Sequence, residues 1–391
     1  MDRFARFLQE KKESHTLRRL APVAQKKDAT VALVSPGTGP CLDFSSNDYL
    51  GLSRHPQVLR AAADALERFG AGAGAARLMS GDLVLHHELE ERLARVKETE
   101  AALLFGSGYL ANIGIIPALV GRQDAIFADR LVHASIIDGC RLSGARVYRY
   151  RHNDCDHLTF LLTKNRPRHP NALLITESVF SMDGDMAPLA ELVRLKEQHD
   201  CLLMVDEAHA FGVFGRKGGG LLEEAGCANS VDIAMATLGK ALGSYGAFVA
   251  VTGRMKEYLI NRARSFIFST GLPPASTAAA LAALDHVAAD ALPRKRLFAN
   301  SRFLKEQLKK LGVAGHQSPS QIIPVPVGAS ETALALALCL REQGIFATAV
   351  RPPTVPDNTA RLRLSVTSLF EADDLQRAAQ AISTQFRCME V

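Results

Sequence analysis

The stretch Leu202-Leu-Met-Val-Asp-Glu-Ala-His209 decides the fold class. An unbroken apolar run that ends in a polar cluster is typical of a strand buried on both faces. A second run of this kind, Ile233-Ala-Met-Ala-Thr237, continues directly into Leu-Gly-Lys240. Because a helix-length segment separates the two runs, the pattern predicts parallel strands joined by helices.

Similar apolar runs extend this pattern through the middle of the chain. Strands that alternate with helices predict a mainly parallel sheet with helices on both faces, in which ligands bind at the carboxyl ends of the strands. The polar clusters after residues 205 and 237 lie at such ends. The further runs are Ala101–Phe105, Ala125–Ala128, Arg146–Tyr150, Ala172–Thr176 and Ala247–Val251.

Beyond Pro293 the pattern changes to that of a smaller α+β domain. A charged helix, a strand, an apolar helix and a closing strand are predicted at 294–311, 321–327, 332–343 and 361–366. Near the other end, Phe4, Phe7 and Leu8 alternate with charges, which predicts a short amphipathic helix. The predicted organisation is an N-terminal segment at 1–45, a large domain at 46–292 and a small C-terminal domain at 293–391.

Composition bounds the possible functions. The 391 residues are 47% hydrophobic, enough for a sizeable core, and the net charge of +5 is spread without a long basic block, so nucleic-acid binding is not indicated. The seven cysteines are scattered and never spaced C-x-x-C, which argues against a disulfide framework or a metal site. The sequence shows neither a secretory signal nor an uncharged span, because charges interrupt the Ala-rich stretch 275–292. We expect a soluble cytoplasmic protein without a membrane partner.

The two polar clusters combine the groups that pyridoxal 5′-phosphate (PLP) chemistry needs. That cofactor requires a lysine for a Schiff base, an acid against its pyridine nitrogen, and hydroxyl or backbone donors for its phosphate. Lys240 and Asp206 supply the first two, with His209 and Thr237 beside them. An acid in hydrogen-bonding reach raises the pKa of a ring nitrogen by about 1–3 units, which is enough to decide whether the ring is protonated.

Each of these residues alone has an ordinary explanation. A single lysine is usually a solvated surface charge, an aspartate at a strand end is often a cap, and a histidine is often a satisfied core or surface residue. The combination at the ends of two neighbouring apolar strands favours the cofactor site. The predicted catalytic set is Lys240, Asp206 and His133.

Two further segments fit the same cofactor. Phe105-Gly-Ser-Gly-Tyr-Leu-Ala-Asn112 runs from a strand through glycines into a helix, a geometry that binds phosphate, although such turns also merely connect elements. His133 lies at a strand-to-helix junction, where an imidazole can stack on an aromatic ring or act as a helix cap. His86 and His87 precede a charged helix and are predicted to lie on a solvated face.

With these motifs, nearly the whole chain resembles the α-oxoamine synthases, PLP enzymes of the aspartate-aminotransferase fold type (fold type I). The resemblance implies a PLP cofactor and a homodimer. The segments that carry it are Leu17-Arg-Arg19, Phe44-Ser-Ser-Asn-Asp-Tyr-Leu-Gly-Leu52, Gly106-Ser-Gly-Tyr109, His133-Ala-Ser135, Glu177-Ser-Val-Phe-Ser-Met-Asp-Gly-Asp185, Asp206-Glu-Ala-His209, Thr237-Leu-Gly-Lys240 and Arg351-Pro-Pro-Thr-Val-Pro356.

The resemblance also implies residue roles. Lys240 would hold PLP, Asp206 would pair with the ring nitrogen and His133 would stack on the ring. Ser181 and His209 would contact the ring hydroxyl, while Gly108, Tyr109 and Thr237 would belong to the phosphate and cofactor cradle. The implied substrate-binding residues are Arg18, Asn47, His133, Arg351, Thr354 and Arg363, with Arg361 as the alternative to Arg363 for the amino-acid carboxylate.

The implied reaction is the condensation of L-alanine with a pimeloyl thioester, carried on CoA or on an acyl carrier protein, with loss of CO2, as in biotin biosynthesis. Other members of the family use different pairs, such as glycine with acetyl-CoA, and the segments His133–Gly139 and Leu238–Leu242 are equally similar to that type. An aminotransferase of the same fold is a further alternative, as is a regulatory subunit without catalysis. The lysine at 240 argues against the last.

Overall fold

The computed structural model describes residues 2–34, 39–313 and 317–389. The chain forms two compact units that are both discontinuous in sequence. Unit one comprises Met1–Gly51, Ser181–Asp185 and Leu292–Val391, and unit two comprises Leu52–Phe180 and Met186–Ala291. The predicted boundaries at residues 45 and 292 stay a prediction.

Helices and strands follow one another in an order that alternates through the middle of the chain. In chain order they are α1 Arg3–Glu13, β1 Val23–Lys27, β2 Thr30–Leu33, β3 Cys41–Asp43, α2 Pro56–Phe69, α3 Val84–Lys97, β4 Ala101–Phe105, α4 Gly108–Leu119, β5 Ala125–Asp129, α5 Ala134–Ser143, β6 Arg146–Tyr150, α6 Cys155–Asn165, β7 Ala172–Glu177, α7 Leu189–Gln198, β8 Leu202–Asp206, α8 Leu221–Glu224, β9 Ile233–Thr237, β10 Ala247–Val251, α9 Gly253–Arg262, α10 Arg264–Ile267, α11 Pro274–Ala289, α12 Leu292–Lys310, β11 Ile322–Gly328, α13 Ser330–Glu342, β12 Ile345–Phe346, β13 Thr348–Val350, β14 Ala360–Ser365 and α14 Ala372–Cys388.

Unit two is built on a seven-stranded sheet in the order β4-β10-β9-β8-β7-β5-β6. The neighbours from β9 to β6 pair in parallel, whereas β10 is antiparallel to both β9 and β4. β5 and β7 are buried along their whole length, as expected for strands covered on both faces. The seven predicted strands and the mainly parallel sheet are confirmed.

This topology collects polar side chains at one edge of the sheet. Because β10 runs against both of its neighbours, β4 points the same way as the parallel strands, and the carboxyl ends of β4, β5, β7, β8 and β9 meet at one edge. The turn from β9 to β10 passes through Gly243, with φ +62°, and Gly246, with φ +110°. A Cβ on Gly243 would lie 2.2 Å from the backbone nitrogen of Ser53, so the turn requires glycine there.

Unit one contains two smaller sheets. β11, β14 and β13 form an antiparallel sheet, and β1, β2, β3 and β12 form a second one in which only the β3–β12 pair is parallel. In the core of unit one the rings of Phe44 and Phe370 stack, with their centroids 4.4 Å apart. The smaller α+β part of the predicted fold is thereby confirmed, and α1 matches the predicted amphipathic helix. Strands β1 to β3 were not predicted.

One prediction about the histidines is wrong. His86 is fully buried, with Nε2 2.9 Å from the carbonyl oxygen of Leu272 and Nδ1 accepting from the Leu83 backbone N–H at 3.1 Å. Burial lowers the pKa of His86. His87 is exposed and pairs with Asp82 at 2.7 Å. In the described residues, no helix is both long and apolar enough to cross a membrane.

Candidate active site

Lys240 and His209 meet at the carboxyl edge of the unit-two sheet. Lys240 follows β9 by three residues and is half-buried, and His209 follows the neighbouring β8 and is buried. Nζ of Lys240 lies 2.9 Å from Nε2 of His209. A hydrogen bond between the amine and the imidazole therefore holds the Lys240 side chain at the sheet edge.

Asp206 is the last residue of β8 and is buried. One carboxylate oxygen, Oδ1, accepts from the Ala208 backbone N–H at 2.9 Å, and Oδ2 accepts from Nδ2 of Asn112 at 3.1 Å. The Ser178 backbone N–H donates to the Asp206 carbonyl at 2.9 Å. Donors on both oxygens and on the main chain fix the orientation of this carboxylate.

His133 is the N-cap residue of α5. Its backbone N–H donates to Oε1 of Glu177 at 2.5 Å, and its Nδ1 accepts from the Ser135 backbone N–H at 3.2 Å. The pKa of His133 is lowered, chiefly by desolvation, with the Lys240 charge adding to this and the Asp206 charge opposing it. A neutral imidazole suits stacking on the face of a ring.

The N-terminus of α4 lies at the same edge, since β4 ends at Phe105. Ser107 caps this helix by accepting from the Leu110 N–H at 3.2 Å, and Gly108 and Tyr109 form its first turn. Backbone N–H groups in a first helical turn lack partners within their own helix, so they and the helix dipole favour an anion. Tyr109 donates its hydroxyl hydrogen to Oδ2 of Asp138 at 2.6 Å.

Thr237 is the last residue of β9 and lies at the same sheet edge. Its hydroxyl donates to the Gly246 carbonyl at 3.0 Å and accepts from the Gly239 N–H at 3.2 Å. Seven of the predicted site residues thus lie at one sheet edge of unit two: Gly108, Tyr109, His133, Asp206, His209, Thr237 and Lys240. An amine, a carboxylate, an imidazole and a helix N-terminus match the aldehyde, pyridine nitrogen, ring face and phosphate of PLP, so the donor set fits this cofactor.

The other predicted residues belong to unit one. Arg363 is buried and donates to the Ser181 carbonyl at 2.5 Å, to the Ser365 hydroxyl at 2.7 Å and to Oδ1 of Asn47 at 3.2 Å. These acceptors are all uncharged. Arg361, in contrast, forms an ion pair with Asp183. Of the two arginines, only Arg363 is without a carboxylate partner among the described residues.

Arg18, Thr354 and Arg351 form a second group in unit one. Arg18 donates to the Thr354 hydroxyl at 3.0 Å, and Arg351 donates to the His15 carbonyl. The pKa of Arg351 is lowered by burial and by the charge of Arg18. Because the charge of Arg18 disfavours the charged form of Arg351, an anionic ligand would stabilise both arginines.

Sequence reasoning missed several residues that hold the site together. Asn112 and Ser135 link Asp206 to His133. Glu207, the residue after Asp206, forms a buried ion pair with Lys97. A signal for Asn112 was present, because it is the one amide in the otherwise apolar helix α4, and a buried polar side chain needs partners.

Comparison with known proteins shows one family over most of the chain. The family model described as aminotransferase class I and II matches residues 39–382. The 8-amino-7-oxononanoate synthase of Geobacter sulfurreducens is 50% identical over 379 residues, covering 96% of each chain. The protein of the same name from Anaeromyxobacter dehalogenans is 52% identical over 340 residues, or 87% of this chain and 85% of the relative.

Solved structures agree with these relatives. A serine palmitoyltransferase from S. paucimobilis with bound PLP superposes with a TM-score of 0.94 at 30% identity, covering all of both chains. The 8-amino-7-oxononanoate synthase of Francisella tularensis gives a TM-score of 0.76 at 31% identity, over 90% of this chain and 99% of that one. The expected fold type I is confirmed. The chain belongs to the α-oxoamine synthases, a group of PLP-dependent enzymes within the class I and II aminotransferase family.

Proposed function

We propose that this chain is a PLP-dependent acyltransferase that makes 8-amino-7-oxononanoate for biotin biosynthesis. It condenses L-alanine with a pimeloyl thioester and releases CO2 and the free thiol. The observation that carries the proposal is the 50% identity to the Geobacter sulfurreducens enzyme of that name over 96% of both chains. The donor set at the unit-two sheet edge supports it.

Bound PLP supplies an electron-withdrawing ring that takes up the electron pair left when a proton or CO2 departs from the amino acid. The Asp206 carboxylate would hold the ring nitrogen in its protonated form. His133 would pack on the ring face, and the first turn of α4, with Gly108 and Tyr109, would bind the phosphate together with Thr237.

Lys240 has two tasks in this proposal. It would hold the cofactor covalently, and its amine would move a proton to and from Cα of the amino acid as base and acid. His209 supports the second task, because Nε2 lies 2.9 Å from Nζ and can hydrogen-bond the amine in the orientation that faces the substrate. The roles of Ser181 at the ring hydroxyl and of Asn47, Arg18, Arg351 and Thr354 at the substrates stay predictions.

We further propose that Arg363, rather than Arg361, binds the carboxylate of alanine. Among the residues that the structure describes, the buried Arg363 guanidinium contacts only neutral acceptors, whereas the Asp183 carboxylate already neutralises Arg361. The fixed fork of an arginine suits bidentate carboxylate binding.

Replacing Arg363 by alanine is therefore expected to raise the KM for alanine about 10²-fold, since truncating one partner of a buried charge pair costs 2–5 kcal/mol or more. Arg363→Lys keeps the charge and should lose less. Alanine saturation kinetics measure the effect, with Arg361→Ala as the matched control in the same strand. A larger KM change in Arg361→Ala than in Arg363→Ala would reverse the assignment.

Substrate choice is tested by thiol release with pimeloyl, acetyl, succinyl and palmitoyl thioesters against alanine, glycine and serine. We expect the highest kcat/KM for the pimeloyl thioester with alanine. The serine palmitoyltransferase neighbour makes palmitoyl-CoA with serine the second candidate. Release with acetyl-CoA and glycine, or with palmitoyl-CoA and serine, but not with the pimeloyl pair would reject the proposed activity. Parallel assays with CoA and a carrier protein decide which carrier serves.

We also propose that the chain acts as a homodimer. Large apolar side chains of unit two stand exposed, among them Met79 at 76% and Phe268 at 71% of their full area. Exposed apolar groups of this size are typical of subunit interfaces when they cluster. The cytoplasmic location stays a prediction.

A further inference from the structure

We propose that Asn112 is a positioning residue of the cofactor site, whose amide fixes the Asp206 carboxylate and, through Ser135, the tautomer of His133. The proposal rests on the cofactor roles assigned above to Asp206 and His133. It is independent of which acyl chain the enzyme uses.

The amide of Asn112 donates two hydrogen bonds that diverge. Nδ2 lies 3.1 Å from Oδ2 of Asp206 and 2.9 Å from the hydroxyl of Ser135. All three side chains are buried. Both amide hydrogens are therefore committed to the two neighbours that flank the amide.

The orientation of the amide follows from its surroundings. Turned by 180°, its oxygen would face the carboxylate of Asp206, two acceptors with no hydrogen between them. In the observed orientation Oδ1 of Asn112 is buried and has no hydrogen-bond partner within the described part of the chain. Buried polar atoms are rarely left in this state. Asn112 thus gives up a hydrogen bond at its oxygen while keeping both donors in place.

The hydroxyl of Ser135 connects the Asn112 amide to the His133 imidazole. Because its oxygen accepts from Asn112, its one hydrogen is directed to Nδ1 of His133, 2.7 Å away. The backbone N–H of Ser135 donates to the same Nδ1 at 3.2 Å. With two donors on Nδ1, the hydrogen of the neutral imidazole sits on Nε2, which is left as the donor toward a ligand.

The packing of two helices makes these contacts possible. A Cβ on Gly139 of α5 would lie 2.7 Å from the backbone oxygen of Asn112 in α4. Any larger residue at 139 would push α5 away from α4 and so separate Ser135 from the amide. The two helices therefore approach each other closely at Asn112 and Ile116.

Cofactor binding to the apoprotein tests the proposal without any acyl substrate. Asn112→Leu has a similar shape but no donor, and we expect its Kd for pyridoxal 5′-phosphate to rise about 10- to 100-fold, as for loss of hydrogen bonds to a charged group. The matched control is Asn165→Leu, which removes another buried amide whose Nδ2 donates to the Leu161 carbonyl at 3.0 Å. That variant should keep wild-type affinity.

Asn112→Asp separates positioning from mere folding. At pH 8 a second carboxylate facing Asp206 should weaken cofactor binding more than Asn112→Leu does. On acidification the two carboxylates share a proton, which restores one donor, so the affinity of Asn112→Asp relative to wild type should rise as pH falls. The affinity of Asn112→Leu relative to wild type should not change with pH.

Nitrogen-15 NMR of His133 in the apoprotein gives the second readout. We expect the Nε2-protonated tautomer in the wild type and a shift toward a mixture of tautomers in Ser135→Ala and Asn112→Leu. A folded Asn112→Leu protein with wild-type cofactor affinity and unchanged His133 signals would overturn the proposal. If Asn112→Leu does not fold, an unchanged tautomer in Ser135→Ala together with a flat pH response of Asn112→Asp would overturn it. Neither readout depends on thiol release, so failure here is distinct from failure of the proposed activity.

Discussion

Replacing Lys240 by alanine is expected to lower the rate of thiol release about 10⁴-fold, the upper end of what loss of a general acid–base group costs. The upper end applies because the same side chain also holds the cofactor covalently. Nζ of Lys240 lies 2.9 Å from Nε2 of His209. Borohydride reduction followed by peptide mass spectrometry should find the cofactor on Lys240 in the wild type and nowhere in the variant.

The matched control is Lys164→Ala. Lys164 is exposed and lies over the ring of Phe160, so its loss should change neither rate nor labelling. Added methylamine should restore part of the activity of Lys240→Ala if the missing group acts as a base. If a different lysine were labelled, or if Lys240→Ala released thiol at the wild-type rate, Lys240 would not be the residue that binds the cofactor covalently.

Replacing Lys97 by methionine should destabilise the protein by about 3–5 kcal/mol, the cost of leaving one member of a buried ion pair alone. Lys97 and Glu207 are paired and both side chains are almost fully buried. Nζ of Lys97 also donates to the Gly219 carbonyl at 2.7 Å, and Oε1 of Glu207 accepts from the Leu222 N–H at 2.9 Å. Urea unfolding of the apoprotein measures the decrease in the free energy of unfolding, taken from the transition in which unit two unfolds.

Lys217→Ala is the surface counterpart. Lys217 pairs with Glu98 at 3.0 Å, but the side chains are 47% and 46% exposed, and such pairs contribute only about 0–1 kcal/mol. The double replacement of Lys97→Met with Glu207→Gln should recover part of the stability, because no unpaired buried charge remains. If Lys97→Met cost no more than Lys217→Ala, the buried pair would not be a stabilising link between α3 and the segment after β8.

The sheet of unit two was predictable because each strand is a short apolar run that no helix period explains. The predicted C-terminal ends of three strands were one residue too early. β5, β7 and β8 each extend by one residue into a polar side chain, namely Asp129, Glu177 and Asp206. These carboxylates are buried, and each accepts at least one hydrogen bond from a distant segment, so a pattern based on hydrophobicity ends one residue early.

The chemistry of the site was predictable from residue types that stand close together in sequence. Its supporting contacts were not, since Asn112 reaches Ser135 across 23 residues and Asp206 across 94. His86 shows the same limit, because one of its two partners, Leu272, is 186 residues away. Such contacts arise only once the sheet order is set.

β3 escaped prediction because it has only three residues and its parallel partner β12 has two. The hydroxyl of Ser45, just after β3, donates to the Phe346 carbonyl across 301 residues of chain. At a synthesis rate of about 5–20 residues per second, that partner emerges roughly 15–60 s later. Throughout this interval the growing polypeptide carries a strand edge whose native neighbour has not been made, and an open edge can pair with the wrong chain. The yield of folded enzyme in a cell should therefore depend on translation speed and on chaperones that shield β3 until β12 has been made.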